Sequence, residues 1–359
     1  MKYYVISGET SGDHHASRVM ESLKIKDPSA KFRGMGGDQC QAAGLELVIH
    51  QQEMAVMGFV EILGSLIQIL RNLRRIKKDI LTWQPNAILL VDYPGFNLKI
   101  AAYGKARGIP IHYYISPKVW AWKEGRIQKL KQHIDRLYTI LPFETPYFDL
   151  HLVNHTYVGN PSKESVDAYL QSNPIEIQKK YIALLPGSRK QEIIASLPRM
   201  LEAVKKYDMP LLVAQAPGFD AHFYHAFHPQ LTLVQHDMYS VLAQSKAAIV
   251  TSGTATLETA LMGVPQVVCY KTNRISYWIG KRVIKTKYIS LVNLLLDKPC
   301  VKELIQDDFN ANQLEQALDI ILDPSHKTTI QNDYKELRKV LGNQKPSEEL
   351  AHHIFHDLS

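Results

Sequence analysis

Several short stretches of this sequence combine glycines, hydroxyls, carboxylates and cations in orders that suit chemistry on a phosphorylated ligand. In SGETSGDHH (7–15) two glycines, three hydroxyl side chains, two carboxylates and a histidine pair share nine positions. No lysine follows as in a P-loop, and the glycines do not fall as G-x-G-x-x-G, so the usual nucleotide signatures are missing from this turn. In AILLVDYPGFN (87–97) Asp92 stands directly after an apolar run, beside Tyr93 and Phe96. A carboxylate at the mouth of a sheet can carry a raised pKa and act as a general base. The plainer alternative is a turn-stabilising aspartate before Pro94-Gly95. Asn97 reads as the N-cap of the next helix.

Two further stretches suit anions. In LPGSRKQE (185–192) Pro-Gly makes a turn, Ser188 reads as a cap, and the Arg189 guanidinium can clamp a diphosphate bidentately. A surface arginine is the alternative. In TSGTATLE (251–258) the small residues Ser252, Gly253 and Thr254 open a helix, whose N-terminal N–H groups favour phosphate. Glu258 lies just inside, where it can accept from ribose hydroxyls; a capped helix start with an early acid is the competing reading. SPKVWAW (116–122) carries Trp120 and Trp122 among Lys118 and Lys123, either a sugar or lipid platform or a packed loop. His222, His225 and His228 recur every three residues without a carboxylate cluster, and His352 and His356 lack an H-E-x-x-H context. No metal site is expected. G-x-S-x-G is absent too.

These stretches need elements to hold them. The apolar runs at 3–6, 87–91, 109–115 and 136–141 read as parallel strands alternating with helical patterns. The series restarts after VGNPS (158–162), a plausible hinge, with runs at 181–186, 209–215, 231–234, 247–251 and 265–270. From about residue 310 the pattern is helical, with Pro324 and Pro346 as breakers. The chemistry-bearing stretches follow strands, and parallel sheets bind ligands outside the carboxyl ends of their strands.

The bulk properties bound the partners without choosing among them. The chain has 359 residues, 45% hydrophobic and 21% charged, enough to bury two cores. A formal charge of +7 with a pI near 9.0 suits anionic partners in general. Cys40, Cys269 and Cys300 are odd in number and widely spaced, which argues against a disulfide scaffold and for a reducing compartment. MKYYVISGE lacks the pattern of a secretory signal. AVMGFVEILGSLIQIL (55–70) is interrupted by Glu61, Ser65 and Gln68 and falls short of the ~20 residues a bilayer span needs. Residues 118–136 hold six basic and two acidic residues, and 271–287 hold six basic and none acidic, interleaved with Tyr277 and Trp278. Such runs suit solvated helix faces or contact with a phosphorylated lipid or membrane.

Taken in order and spacing, SGETSGD, AVMGFVEILG, DYPGFN, ISPKVWAW, LPFE, LLPGSR, SGTATLE and IKTKYISLVNLL resemble the lipid-A-disaccharide synthases over nearly the full chain. The resemblance implies two Rossmann-like α/β domains facing across a cleft, a GT-B glycosyltransferase, with a helical C-terminus. Residues 1–160 would form the acceptor side and 161–341 the UDP-sugar side. The helix in 342–359 would pack back on the first domain or on a partner subunit, with a homodimer left open. It implies transfer of diacylglucosamine from UDP to lipid X, a diacylated glucosamine 1-phosphate, with inversion. No cofactor, metal or nucleic acid takes part, and the setting is the cytoplasmic face of an anionic inner membrane. Carried over by position, Asp92 would be the base, Glu9 its reserve, and Ser11, Gly12 and Trp120 would line the acceptor side. Arg189, Ser188, Ser252, Gly253, Thr254, Glu258 and Asn293 would hold the nucleotide. Met57, Phe59, Val60 and Ile62 would form a lipid slot. Two positions depart from many family members: Gly95 replaces a second aspartate and Asn160 a histidine. A UDP-sugar 2-epimerase or another GT-B UDP-sugar enzyme is the competing reading; a nicotinamide dehydrogenase and a non-catalytic carbohydrate- or lipid-binding module fit less well.

Overall fold

The computed structural model describes residues 1–54, 62–173, 180–235, 237–273, 277, 278, 280, 282 and 286–359, leaving aside the side chains of 54 and 62–66. The chain divides into two compact units, Met1–Pro161 with Asn343–Ser359, and Ser162–Gly342.

Unit 1 is built on seven parallel strands: β1 (Lys2–Ser7), β2 (Lys31–Gly36), β3 (Leu45–His50), β4 (Ala87–Val91), β5 (Ile111–Tyr114), β6 (Arg136–Thr139) and β7 (His155–Tyr157). Their order is β3-β2-β1-β4-β5-β6-β7, so the sheet changes direction between β1 and β4. Strand β1 shows why both faces are covered. Tyr4 and Ile6 enter a core with Leu73, Ile76 and Ile80 of helix Ile62–Trp83 and Phe96 and Ile100 of helix Pro94–Lys105. Tyr3 and Val5 enter the opposite core with Val19, Met20 and Leu23 of helix Thr10–Lys26. At ~1.5–3 kcal/mol for each large apolar side chain fully buried, this double burial fixes the strand between two helical layers. Helix Pro346–Leu358 belongs to this unit: Leu350, Ala351 and Ile354 join the Met20 and Leu23 cluster, and Arg136 pairs with Asp357 at 3.1 Å.

Strands β2, β3 and β7 do not stand out as apolar runs in the sequence. Gly34 gives the reason for β2: its φ is +148°, and a Cβ there would lie 2.0 Å from the Val5 carbonyl oxygen. The close approach to β1 demands glycine where a strand pattern would show a branched residue.

Unit 2 has six parallel strands: β8 (Tyr181–Leu185), β9 (Leu211–Gln215), β10 (Leu233–Gln235), β11 (Ser245–Thr251), β12 (Gln266–Tyr270) and β13 (Lys302–Ile305). The order β10-β9-β8-β11-β12-β13 reverses between β8 and β11. Helices Lys190–Val204 and Ala311–Leu322 cover one face, where Ile193, Leu197, Leu314 and Leu318 pack on Ile182, Leu184, Ile249 and Val267. Strand β13, KELI, is short and charged at its start, so it too escapes a hydrophobicity reading. No helix among the described residues is long and apolar enough to cross a membrane.

Candidate functional site

In unit 1 the chemistry gathers where the strand order reverses. Ser7 at the end of β1 lies in register with Val91 at the end of β4, so the residues that follow, Gly8-Glu9 and Asp92-Tyr93, emerge side by side. This crevice is where doubly wound sheets hold ligands. Helix Thr10–Lys26 starts there, with Glu9 as an extended N-cap whose side chain makes no capping bond. Its first N–H groups are left for a ligand or solvent. Gly12 is buried in the first turn of that helix, where a Cβ would meet Ser7 and Val91 in ordinary contact at 3.6 and 3.8 Å.

Asp92 is held in an unusual backbone conformation. Both Asp92 and Tyr93 are left-handed, with φ of 47° and 48°, at about 1–2 kcal/mol each for non-glycine residues. Three bonds sustain the turn. The Tyr113 hydroxyl donates to the Asp92 carbonyl at 2.5 Å, and the Asn97 amide donates to the carbonyls of Asp92 and Val91 at 2.7 and 3.2 Å. Asn97 is therefore not the N-cap expected from sequence. It lies inside the helix and reaches back, while Tyr93 occupies the cap position. The Tyr93 ring lies over Gly8, where a Cβ would come within 2.5 Å of it. A glycine at that point lets the two turns meet.

The electrostatics follow from the crowding. Burial first, and then the nearby Glu9 carboxylate, push the Asp92 carboxyl up to about 6 against the opposing pull of Lys118 and a backbone N–H. Glu9 itself is exposed. The result is a carboxylate ionised at neutral pH yet more basic than an ordinary aspartate.

The other residues of SGETSGD divide by role. Ser11 is exposed near the helix start. Asp13 is buried, accepting from the N–H groups of Gly37, Gln39 and Cys40 at 2.6, 3.0 and 3.2 Å. It caps the short helix Asp38–Ala42 from a distance in sequence, a structural task that nothing in the local motif announces. Trp120 is also a packed residue: its indole N–H donates to buried Glu144 at 3.1 Å and its ring meets Phe143 edge-on at 4.8 Å. The exposed aromatic of that loop is Trp122, with Lys123 4.2 Å from its ring centroid. Asn160 donates to the Ile140 carbonyl at 3.1 Å, and a Cβ at Gly95 would meet open space. Met57, Phe59 and Val60 lie outside the described residues, as does the side chain of Ile62.

Unit 2 repeats the topology with different chemistry. Leu185 at the end of β8 is in register with Val250 of β11, so PGSR and SGT emerge together at the second reversal. Helix Thr254–Leu261 begins at Gly253 with no side-chain cap; the Thr256 N–H is taken by the Gly253 carbonyl at 3.2 Å, and the N–H groups of Thr254 and Ala255 at the helix start suit an anion. The Ser252 hydroxyl donates to the Ile289 carbonyl at 3.1 Å, which fixes the loop before the helix. Thr254 is exposed at its start.

Ser188 does not cap the neighbouring helix as expected. Glu192 does so, accepting from the N–H groups of Ser188 and Arg189 at 3.2 and 3.3 Å. The Arg189 side chain, 76% exposed, pairs with Glu192 at 2.9 Å. An exposed i,i+3 pair is worth well under ~1 kcal/mol, so an anion can replace Glu192 at little cost. Glu258 is partly buried. Burial raises its pKa, while hydroxyls of Tyr239 (3.0 Å) and Ser162 lower it by donating to the carboxylate.

Asn293 is buried and fully employed within unit 2. Its amide donates to Val301 O and Glu303 at 2.9 Å each, and its carbonyl accepts from Val301 N–H at 2.9 Å. Glu303 in turn accepts from the N–H groups of Ile289 and Ser290. Asn293 thus braces the segment that receives Ser252, and its own polar atoms are occupied. Among the described residues no cluster of three or more His, Cys, Asp or Glu could hold a metal ion.

Known proteins place this arrangement. A glycotransferase of kitacinnamycin superposes with a TM-score of 0.66 at 14% identity, covering 100% of this chain and 99% of that one. The UDP-GlcNAc 2-epimerase from Neisseria meningitidis, bound to UDP-GlcNAc, gives 0.61 at 12% identity over 100% and 99%. Identities this low speak for the fold, which is of GT-B type, and leave the choice between epimerase and transferase to sequence. There the likeness is far closer. The lipid-A-disaccharide synthase of Nitrosococcus oceani is 34% identical over 354 residues, covering 94% of this chain and 92% of that protein. That of Syntrophus aciditrophicus is 36% identical over 364 residues, covering 97% and 95%. The lipid-A-disaccharide synthetase family matches residues 3–355, a span that takes in both strand reversals and every motif set on them. The chain is therefore a glycosyltransferase and belongs to the lipid-A-disaccharide synthetase family.

Proposed function

We propose that the chain condenses UDP-2,3-diacylglucosamine with 2,3-diacylglucosamine 1-phosphate, giving the β-1,6-linked disaccharide 1-phosphate and UDP. Asp92 takes the proton of the acceptor 6-hydroxyl as that oxygen attacks the anomeric carbon of the donor. The bond from that carbon to the diphosphate breaks, and its electron pair leaves with UDP. Attack opposite the leaving group inverts the centre. A base near pH 6 is ionised in the cell yet accepts a proton more readily than an ordinary aspartate. Glu9 tunes Asp92 and is the reserve base.

On the donor side, Arg189, Ser188 and the helix start at Ser252, Gly253 and Thr254 hold the diphosphate and stabilise the charge that develops on it. Glu258 accepts from the ribose. Asn293 contributes by bracing the Ser252 loop. These groups supply the positive potential that the departing UDP needs without a resident metal.

The observation that carries the reading is the pairing of Asp92 with Glu9 at the strand reversal of a chain whose family match spans residues 3–355. The test is direct. Purified protein incubated with UDP-diacylglucosamine and the acylated sugar phosphate should yield UDP and a disaccharide by mass spectrometry. A free 2-epimer of the sugar, with no disaccharide, would sink it.

The substrates are lipids, and we extend the proposal to peripheral attachment at an anionic inner-membrane surface. Ile67 and Leu70 on helix Ile62–Trp83 are 60% and 47% exposed, beside the exposed cations Arg71, Arg74 and Arg75. Each such cation is worth ~1 kcal/mol near an acidic bilayer. Binding to anionic vesicles at low salt, lost at high salt, is the expected result.

A further inference from the structure

The loop after β5 carries three cations whose placement follows from one buried carboxylate. Glu144, 1% exposed, accepts from the Ser116 hydroxyl and from the Trp120 indole, as well as from the N–H groups of Ile140 and Leu141. Pinning positions 116 and 120 to the same carboxylate turns the intervening Lys118 outward, where it is exposed. The N–H groups of Ala121 and Trp122 then close a turn on the Lys118 carbonyl at 3.1 Å each. Trp122 is left 41% exposed, with the Lys123 ammonium 4.2 Å and the Arg126 guanidinium 5.6 Å from its ring centroid. No salt bridge among the described residues engages Lys118, Lys123 or Arg126.

The same loop is wired to Asp92. The Asp92 N–H donates to the Tyr114 carbonyl at 2.9 Å, and the Tyr113 hydroxyl donates to the Asp92 carbonyl. The charge of Lys118 is felt at Asp92, and that of Arg126 at Tyr113. A cationic arc therefore lies beside the base within unit 1 alone.

We propose that Lys118 and Arg126, flanked by Lys123, form a subsite for the anomeric phosphate of the acceptor and make the enzyme select a phosphorylated over an unphosphorylated sugar. The inference rests on the glycosyl-transfer reading above. In a hexose 1-phosphate the carbons bearing the phosphate and the hydroxymethyl group both flank the ring oxygen. When the 6-hydroxyl reaches Asp92, the phosphate lies one sugar ring away. A dianion left uncompensated there would raise the Asp92 carboxyl further and protonate the base. Cations beside the phosphate hold the substrate and keep the base ionised, and Trp122 offers apolar surface to the sugar ring.

The test compares kcat/KM for the acceptor with and without its 1-phosphate, other groups unchanged. Taking the ratio removes the effect of Lys118 on Asp92 that both acceptors share and leaves the part that depends on the phosphate. Wild-type protein should prefer the phosphorylated acceptor by about 10-fold or more, the range for charge-assisted contacts. Lys118→Met and Arg126→Gln should each reduce that preference several-fold, Lys118→Arg should retain it, and Lys129→Gln, a charge loss further along, should leave it unchanged. UDP affinity should be the same throughout. An undiminished preference in both folded variants Lys118→Met and Arg126→Gln overturns the subsite. A wild-type protein that makes no disaccharide from either acceptor overturns the glycosyl-transfer reading, and the subsite with it.

Discussion

The two strand reversals of this molecule are the same construction carrying opposite chemistry. In unit 1 the sheet turns between β1 and β4, in unit 2 between β8 and β11, each time with a helix starting at the reversal. At the first, one carboxylate raises the pKa of another that is largely buried, and the backbone that carries the buried one is left-handed. At the second, an arginine, small residues and open N–H groups wait at relaxed turns. The topology decides where a ligand can sit. The side chains decide whether that place removes a proton or receives a diphosphate.

The comparison predicts that damage at one reversal leaves the other intact. Asp92→Asn should lower turnover by ~100-fold or more, the usual worth of a general base, with UDP affinity by calorimetry unchanged. Turnover close to wild type would transfer the role to Glu9. Arg189→Ala should do the reverse, weakening UDP binding by ~1.5–3 kcal/mol, about 10- to 150-fold, because it removes a charge-assisted contact. Asn293→Ala sharpens the contrast within unit 2. It strands buried partners and should cost about 1–3 kcal/mol of stability by denaturant titration, with a far smaller change in UDP affinity. A loss of affinity equal to that of Arg189→Ala would make Asn293 a ligand contact after all.

Smaller effects lie in pH. The acid limb of kcat/KM should fall near pH 6, where Asp92 ionises. Glu9→Gln removes a like charge and should move that limb to lower pH; Lys118→Met removes an opposing charge and should move it higher. Limbs unmoved by either substitution would separate Asp92 from the titration. Smallest of all is a stability effect of reversed sign. The folded-state pKa of about 6 exceeds the unfolded value near 3.9, so the folded state binds more protons between them. This contribution is fully present below about pH 4 and is lost as pH rises through 6. Asp92→Asn should therefore melt later than wild type at neutral pH, by about 1–2 kcal/mol, with the gain vanishing below pH 4. Equal melting curves at pH 7 and pH 4 would mean the carboxyl is not strained by its setting.

Much of this was legible in the sequence where the signal is local. Runs such as AILLV and AAIVT announce buried parallel strands, and the polar residues just beyond them are where such sheets bind ligands. Where a residue answers to a distant partner, the sequence is silent. KFRGMG hides a buried strand because Gly34 is required by the Val5 carbonyl. Asp13 looks like part of a ligand turn yet caps a helix more than twenty residues on. Asn293 sits in a motif-like stretch but is consumed by Val301 and Glu303. Trp120 and Trp122 are indistinguishable by composition, and it is the contacts of Trp120 with Glu144 and Phe143 that leave Trp122 facing out. The nearness of Glu9 to Asp92 follows from strand order, which no local pattern encodes.

The path of the chain through helix Pro346–Leu358 bears on how the protein is made. Unit 2 is in effect an insertion between two pieces of unit 1. While the ribosome builds unit 2, the nascent unit 1 waits with Met20 and Leu23 lacking the Leu350, Ala351 and Ile354 surface that will cover them. Exposed apolar surface of this kind invites aggregation. Unit 2 closes on its own continuous sequence, so it can fold as it emerges, while the unit that begins first finishes last. Slow translation should lengthen that exposed interval, and chaperones that shield apolar helix faces should matter most during it.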